Sequence, residues 1–578
     1  MNVCKRILLL GALVPFSILA QKKDEAKPNW QNLDLKKDGF FGISTELAYD
    51  LVKGKVGKTV LVAVIDGGVD KDHEDLKSVM WVNPKEIAGN SKDDDNNGYI
   101  DDVNGWNFLG SPKWTVQYDN LEMTRLIRVY QDQYASVLNT TPLPPHQKKE
   151  FSLYKKMVSE QMNKLQDARL GYEAYSRALK ILNLLENRTG KSELSRKDVS
   201  NYKGDDDKDG SALKVIKGHL KDGMSYTAAK EAMIEIAKYY HEEINYHLNL
   251  DFDPRDSIGD NYADSKQRLY GNADVSGQDA LHGTHVAGII AADRVNSLGI
   301  KGVAENVRIM SVRSVPNGDE RDKDVANAIR YAVDNGAKVI NMSFGKSYSW
   351  DKAVVDSAVK YAQEKDVLLV HAAGNDGRNN DFCNNFPNRY FIKDTANVNF
   401  ANLPVNRPEM MKGQGRAPQT IGMGGTMRGT EIPKPQPDTV RFNGPQANNW
   451  IEVGASGWKN DDELVADFSN YGKYTVDVFA PGVNINSTIP GSKYKEEEGT
   501  SMASPVVAGL AALIRSYYPS LKASEVKDII LKSVERPVQR VKIRENGETV
   551  KVKFSEVCTS GGVVNAYNAL RMAAQRSK

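Results

Sequence analysis

The chain has 578 residues, which at roughly 150 per domain leaves room for about four domains or for one enlarged α/β domain. Glycine (46) and proline (22) stand near background, and 40% apolar against 26% charged residues excludes collagen-like and wholly disordered chains. Lys+Arg 77 against Asp+Glu 75 leaves a net charge of only +2, so no global basic field announces nucleic acid or an anionic membrane as partner.

Residues 1–20 read as a secretory signal, with Lys5 and Arg6 before an apolar stretch from Ile7 to Leu19 and the small Ala20 at its end. That stretch is too short to span a bilayer comfortably. No later segment carries about 18 uncharged apolar residues, so the mature chain is expected to be exported, to the extracellular space, periplasm or cell envelope, without stable membrane insertion. Cys4 leaves with the signal, and Cys383 and Cys558 remain, whose pairing after export is open. Residues 21–58 form a lead-in that is short for a folding-assisting pro-domain.

Residues 59–65 (TVLVAVI) are continuously apolar, the pattern of a strand covered on both faces, and end at Asp66 before Gly67 and Gly68. Residues 93–102 read DDDNNGYIDD: Asp93, Asp95, Asn97, the Tyr99 carbonyl and Asp101 resemble the start of a calcium loop. Its twelfth position is Asn104 and not Glu, so it is no regular EF-hand. Oxygens this dense repel one another without a cation, which favours structural calcium over a solvated acidic turn; no organic cofactor is indicated. The similar run DDDKDG at 205–210 carries Lys208 and reads as a solvated turn.

Residues 120–250 break the pattern. Phe151, Tyr154, Val158, Leu165, Ala168, Tyr172, Tyr175, Leu179 and Leu182 recur at three- and four-residue steps, interrupted at Gln161, and Ala229, Met233, Ile236, Tyr240 and Ile244 form a second seam. A helical hairpin or bundle inserted between residues 59–119 and 251–578 is predicted, as architecture or as a dock for an unknown partner. His241-Glu242 begins like H-E-x-x-H, but Asn245 stands where the second histidine belongs, so zinc peptidase chemistry is poorly supported.

Beyond the insertion, strands are predicted at 307–312, 339–342, 367–370 and 476–479, with helices at 324–335 and 351–364. Strands alternating with helices imply an α/β fold: a parallel sheet with helices on both faces and its site at the strand ends. Three segments place polar residues beside small ones at such ends: VIDGG at Asp66, HGTHVAGIIAA from His282, and GTSMASPVVAGLAAL around Ser501. Singly, each is an ordinary cap or turn residue. Together they supply what activating a serine requires, with Ser501 attacking, His282 taking its proton and Asp66 holding the imidazole.

The order Asp, His, Ser and the GTSMA context resemble the subtilisin-like serine peptidases, or subtilases, over residues 55–109, 270–375 and 450–573. The resemblance implies a subtilisin-like sheet and a secreted serine endopeptidase acting on polypeptides through an acyl-enzyme. It implies Asn375, in VLLVHAAGNDG, as the oxyanion-hole amide. It also implies Ser343, Phe344 and Gly345, with Ala372, Ala373 and Gly374, as walls of the pocket for the substrate's first side chain. His285 is expected to support the helix start. The reading from another class is a catalytically silent binding or scaffolding protein on the same fold. Compact relatives hold the Asp and His motifs close together, whereas 216 positions separate them here, so the insertion is expected to emerge near the site.

Overall fold

A computed structural model describes residues 26–202, 207–220, 225–391, 444–545 and 547–577; the secretory signal predicted at residues 1–20 lies outside them. Seven parallel strands form the central sheet: β1 (Val60–Asp66), β2 (Gly105–Asn107), β3 (Val307–Arg313), β4 (Val339–Met342), β5 (Leu368–Ala372), β6 (Trp450–Ser456) and β7 (Val478–Pro481). Their spatial order is β2-β3-β1-β4-β5-β6-β7. β1 therefore lies between β3 and β4, and the crevice beyond its carboxyl end is where an open α/β sheet binds ligands.

Both faces are covered, which is why the strands are mostly apolar. On one face Leu281–Ala291 and Thr500–Tyr517 pack with Val62, Val64, Val370 and Val453. On the other, Asp322–Asp334 and Lys352–Glu364 cover Ala63, Ile65, Met310 and Ile340. The lead-in belongs to the first of these cores: Trp30, Ile43, Ala48 and Val52 are buried in it, and the Trp30 indole donates to the Val483 carbonyl at 3.1 Å. Cys383 and Cys558 are not joined in a disulfide. Among the described residues no helix is long and apolar enough to cross a membrane.

The insertion contains Glu122–Tyr134, the 45-residue helix Pro145–Thr189, Asp207–His219 and Tyr226–Glu242. Its far end packs on itself through Ala178, Leu182, Ile216, Ala229 and Met233. Where the long helix crosses Tyr226–Glu242, a Cβ on Gly171 would come within 2.4 Å of the Tyr240 ring, so a larger residue there would have to displace that ring. Gln161, the break in the seam, is buried and donates to the Leu248 carbonyl at 2.8 Å. Asp207 to Gly210 begin a helix instead of a solvated turn, and Asp209 is buried against Arg177 at 2.5 Å. An arginine partner inverts the expectation drawn from composition.

The root of the insertion is an ionic cluster. Asp119 is fully buried; its oxygens accept Arg321 Nε at 2.8 Å and Nη2 at 2.9 Å, with Arg125 and Arg255 each at 3.3 Å. Lys346 is held by Glu122 at 2.9 Å and Asp322 at 2.8 Å. Burial alone would raise the Asp119 pKa, but the three guanidiniums hold it well below the carboxylate range. Asp119→Ala leaves buried cations without their shared anion and should cost about 3–5 kcal/mol, read as a lower urea midpoint with an unchanged slope.

Candidate functional site

Asp66 ends β1 and His282 opens the helix Leu281–Ala291, beside it. A Cβ on Gly283 would stand 2.1 Å from the Gly68 carbonyl oxygen, so the glycine lets the histidine helix approach the aspartate loop. The Asp66 side chain is 4% exposed and that of His282 44%. His282 Nδ1 lies 2.9 Å from both Asp66 oxygens. Because a carboxylate only accepts, this fixes the proton on Nδ1 and leaves Nε2 as the basic nitrogen. Burial acts to lower the His282 pKa, but the Asp66 charge and hydrogen bond outweigh it, and the net shift is upward.

Ser501 is the second residue of the helix Thr500–Tyr517. Pro505 has no N–H to offer the Ser501 carbonyl four residues back. That carbonyl instead accepts the Ser343 hydroxyl at 2.9 Å, and the Ser501 hydroxyl donates to the Ser343 carbonyl at 3.0 Å. Asn341 extends the link, donating to the Ser343 hydroxyl at 2.9 Å and accepting from Ser504 at 2.7 Å. The end of β4 is thereby bound to the start of this helix. In this rotamer the Ser501 hydroxyl addresses Ser343, not His282.

Asn375 follows β5. Its Oδ1 accepts the Thr500 N–H at 2.8 Å and the Thr500 hydroxyl at 2.9 Å, which orients the amide and leaves Nδ2 as a donor toward solvent. Thr500 was not singled out from sequence; its place directly before Ser501 was the only signal. Ser343, Phe344, Gly345, Ala372, Gly374, Asn375 and Ser501 line one cleft of about 510 Å3. Ala373 does not: it is buried, and its carbonyl accepts the amides of Asn380 and Asn470 at 2.8 and 3.0 Å, because alternate residues of an extended chain face opposite ways. His285 is buried and its Nε2 bonds the Lys495 carbonyl at 3.0 Å; burial pushes its pKa down to about 4, so it stays neutral and structural.

In the acidic loop, carboxylate oxygens of Glu86, Asp93 and Asp95 lie within 4.8 Å of one another. One Glu86 oxygen accepts the Asp94 and Asp95 N–H groups at 3.0 and 3.2 Å, and the other is buried without a partner. This donor set fits a hard cation. Asn97 turns its side chain to Tyr99 N at 2.8 Å and Asp102 at 3.0 Å, and the Tyr99 ring packs against Trp106 at 5.0 Å. Asp101 is not part of the cluster: its oxygens cap the turn at Asn90 N and Ser91 N, 3.2 and 2.8 Å away. Glu86 takes that place, and no spacing rule links it to the loop.

The sequence model of the subtilase family matches residues 57–551. The thermophilic serine proteinase of Bacillus sp. (strain AK1) is 34% identical over 290 residues, 50% of this chain and 52% of that protein. Subtilisin Savinase of Lederbergia lenta is 31% identical over 248 residues, 43% of this chain and 67% of that protein. The chain spans about half the length of the first curated relatives it matches. A solved structure of proteases from Pseudoalteromonas arctica PAMC 21717 is similar at 27% identity and a TM-score of 0.35, covering 52% of this chain and 73% of that one.

The geometry around His282 predicts its titration. Followed by NMR of the ring protons, His282 should titrate above the ordinary value of about 6.5, and Asp66→Asn should bring the midpoint down by removing the charge that favours imidazolium.

Proposed function

We propose, from the premise that this chain belongs to the subtilase family, that it is an exported serine endopeptidase acting on polypeptides. The observation that carries this reading is the His282 imidazole held by both Asp66 oxygens in a chain whose Ser501 and Asn375 share one cleft. The Ser501 hydroxyl turns from the Ser343 carbonyl to His282, gives its proton to Nε2, and Oγ attacks the substrate carbonyl carbon. Negative charge developing on the carbonyl oxygen meets Asn375 Nδ2 and the backbone N–H of Ser501 at its helix start. His282 passes the proton to the departing amine, leaving an acyl-enzyme. Water, deprotonated by the same nitrogen, releases the acid and restores Ser501. Asp66 stays ionised opposite the imidazolium throughout.

Export rests on the signal-like residues 1–20. Calcium is proposed as a structural ion held by Glu86, Asp93 and Asp95, where it would neutralise carboxylates that otherwise repel.

Ser501→Ala should lose on the order of a millionfold in kcat on a chromogenic peptide, and Asn375→Ala roughly a hundred- to thousandfold, the magnitudes known for subtilisin itself. A Ser501→Ala chain that turned over peptide like the parent would end the mechanism and leave the scaffolding reading in its place.

For calcium, a chelator should lower Tm and added calcium restore it, because the ion at a hundred times its Kd adds about 2.7 kcal/mol to the stability of the folded state. The double variant Glu86→Gln with Asp93→Asn should lose that response; if it keeps it, the ion binds elsewhere.

A further inference from the structure

The insertion reaches the site. The cleft containing Ser501 and Asn375 is lined also by Glu160 and Lys164, which sit one turn apart on the insertion's long helix. Glu160 is tied to the opposite wall: its carboxylate accepts the Tyr348 hydroxyl at 2.8 Å, and Tyr348 follows the wall segment Ser343 to Gly345 by three residues. Lys156, a turn earlier, places its ammonium 5.9 Å from the Tyr348 ring. A substrate side chain entering the cleft therefore meets groups that the catalytic sheet does not supply.

The charges lining the cleft are not equally available. Arg378 is paired with Asp376 at 2.5 Å. Lys346 is only 1% exposed at its side chain, and its three ammonium protons are taken by Glu122, Asp322 and the Glu320 carbonyl. Asp319 is likewise engaged, accepting the Glu122 N–H at 2.7 Å, which leaves Glu160 and Lys164 as the charged pair facing the cleft. Lys164 is 49% exposed and lies 3.9 Å from Glu160, a separation and exposure at which water screens it strongly. Glu160 is 33% exposed and anchored by Tyr348, so its charge is held in place at the wall. The fixed charge that the insertion adds to the cleft is therefore that of Glu160, an anion.

We infer that Glu160 of the insertion is a specificity-determining residue of this cleft, selecting substrates with a lysine or arginine as the first side chain on the acyl side of the cleaved bond. This rests on the peptidase reading above and deepens it. Glu160 touches the side chain being read and takes no part in bond making.

The test uses the full chain and two peptides identical except for Lys or Glu at that position. The parent should favour the Lys peptide in kcat/KM. Glu160→Gln keeps an oxygen for the Tyr348 hydroxyl and removes only the charge; it should cut the Lys-to-Glu ratio roughly three- to tenfold, mainly through KM. Lys164→Glu should raise the ratio. Ratios unchanged in both variants overturn the inference. If the parent hydrolyses neither peptide, the peptidase reading fails instead, and the inference is read by calorimetry on Ser501→Ala. Tighter binding of the Lys peptide, lost when Glu160→Gln is added, sustains it, whereas equal binding or none overturns it.

Discussion

The helix Thr500–Tyr517 lies buried against β1 and β4 to β7, and almost every residue along it, from Met502 through Ile514, is inaccessible to water. A helix apolar all round has no face to turn to solvent, so it can sit only inside the core, and its first turn is delivered to the carboxyl edge of the sheet. Thr500 then orients Asn375, and the carbonyl that Pro505 leaves unpaired takes Ser343. The hydroxyl, the amide and one pocket wall thus share a single anchor. Weakening the packing of that helix would disturb all three together.

The insertion is joined to this core by charge instead of by apolar packing alone. Asp119, Glu122, Arg125, Arg255, Arg321 and Lys346 are all buried, and a buried ion is tolerated only when its partners are in place. Such a cluster has few alternative arrangements, so it sets the direction in which the insertion leaves the domain. Close to the root, Met123, Tyr130, Phe151 and Met157 add an apolar contact that includes Tyr348 and Trp350 beside the cleft. The long helix consequently presents one face, that of Glu160 and Lys164, to the cleft.

Reading strands from sequence worked where burial on both faces removed polar residues. β1, β3, β4 and β5 carry mostly apolar runs and emerged within two residues of their predicted bounds. β6 escaped because Glu452 sits in its middle. There the carboxylate accepts His371 Nδ1 at 3.0 Å and the Trp450 indole N–H at 2.8 Å, so a charged residue occupies a fully buried strand. Gln161 and Asp209 misled in the same way, each a polar residue whose partner, Leu248 or Arg177, is far along the chain.

Sequence by itself determined the α/β class and the helices of the described residues between 120 and 250, and pointed to Asp66, His282, Asn375 and Ser501 as the candidate site. These follow from apolar periodicity and from short motifs, in which a few adjacent residues carry the whole signal. Only the tertiary structure decided that Ala373 turns away from the cleft, that Glu86 replaces Asp101 beside Asp93 and Asp95, and that Glu160 faces the cleft of Ser501. Those outcomes depend on contacts between residues distant in the chain, fixed by buried hydrogen bonds and ion pairs whose geometry no local pattern encodes.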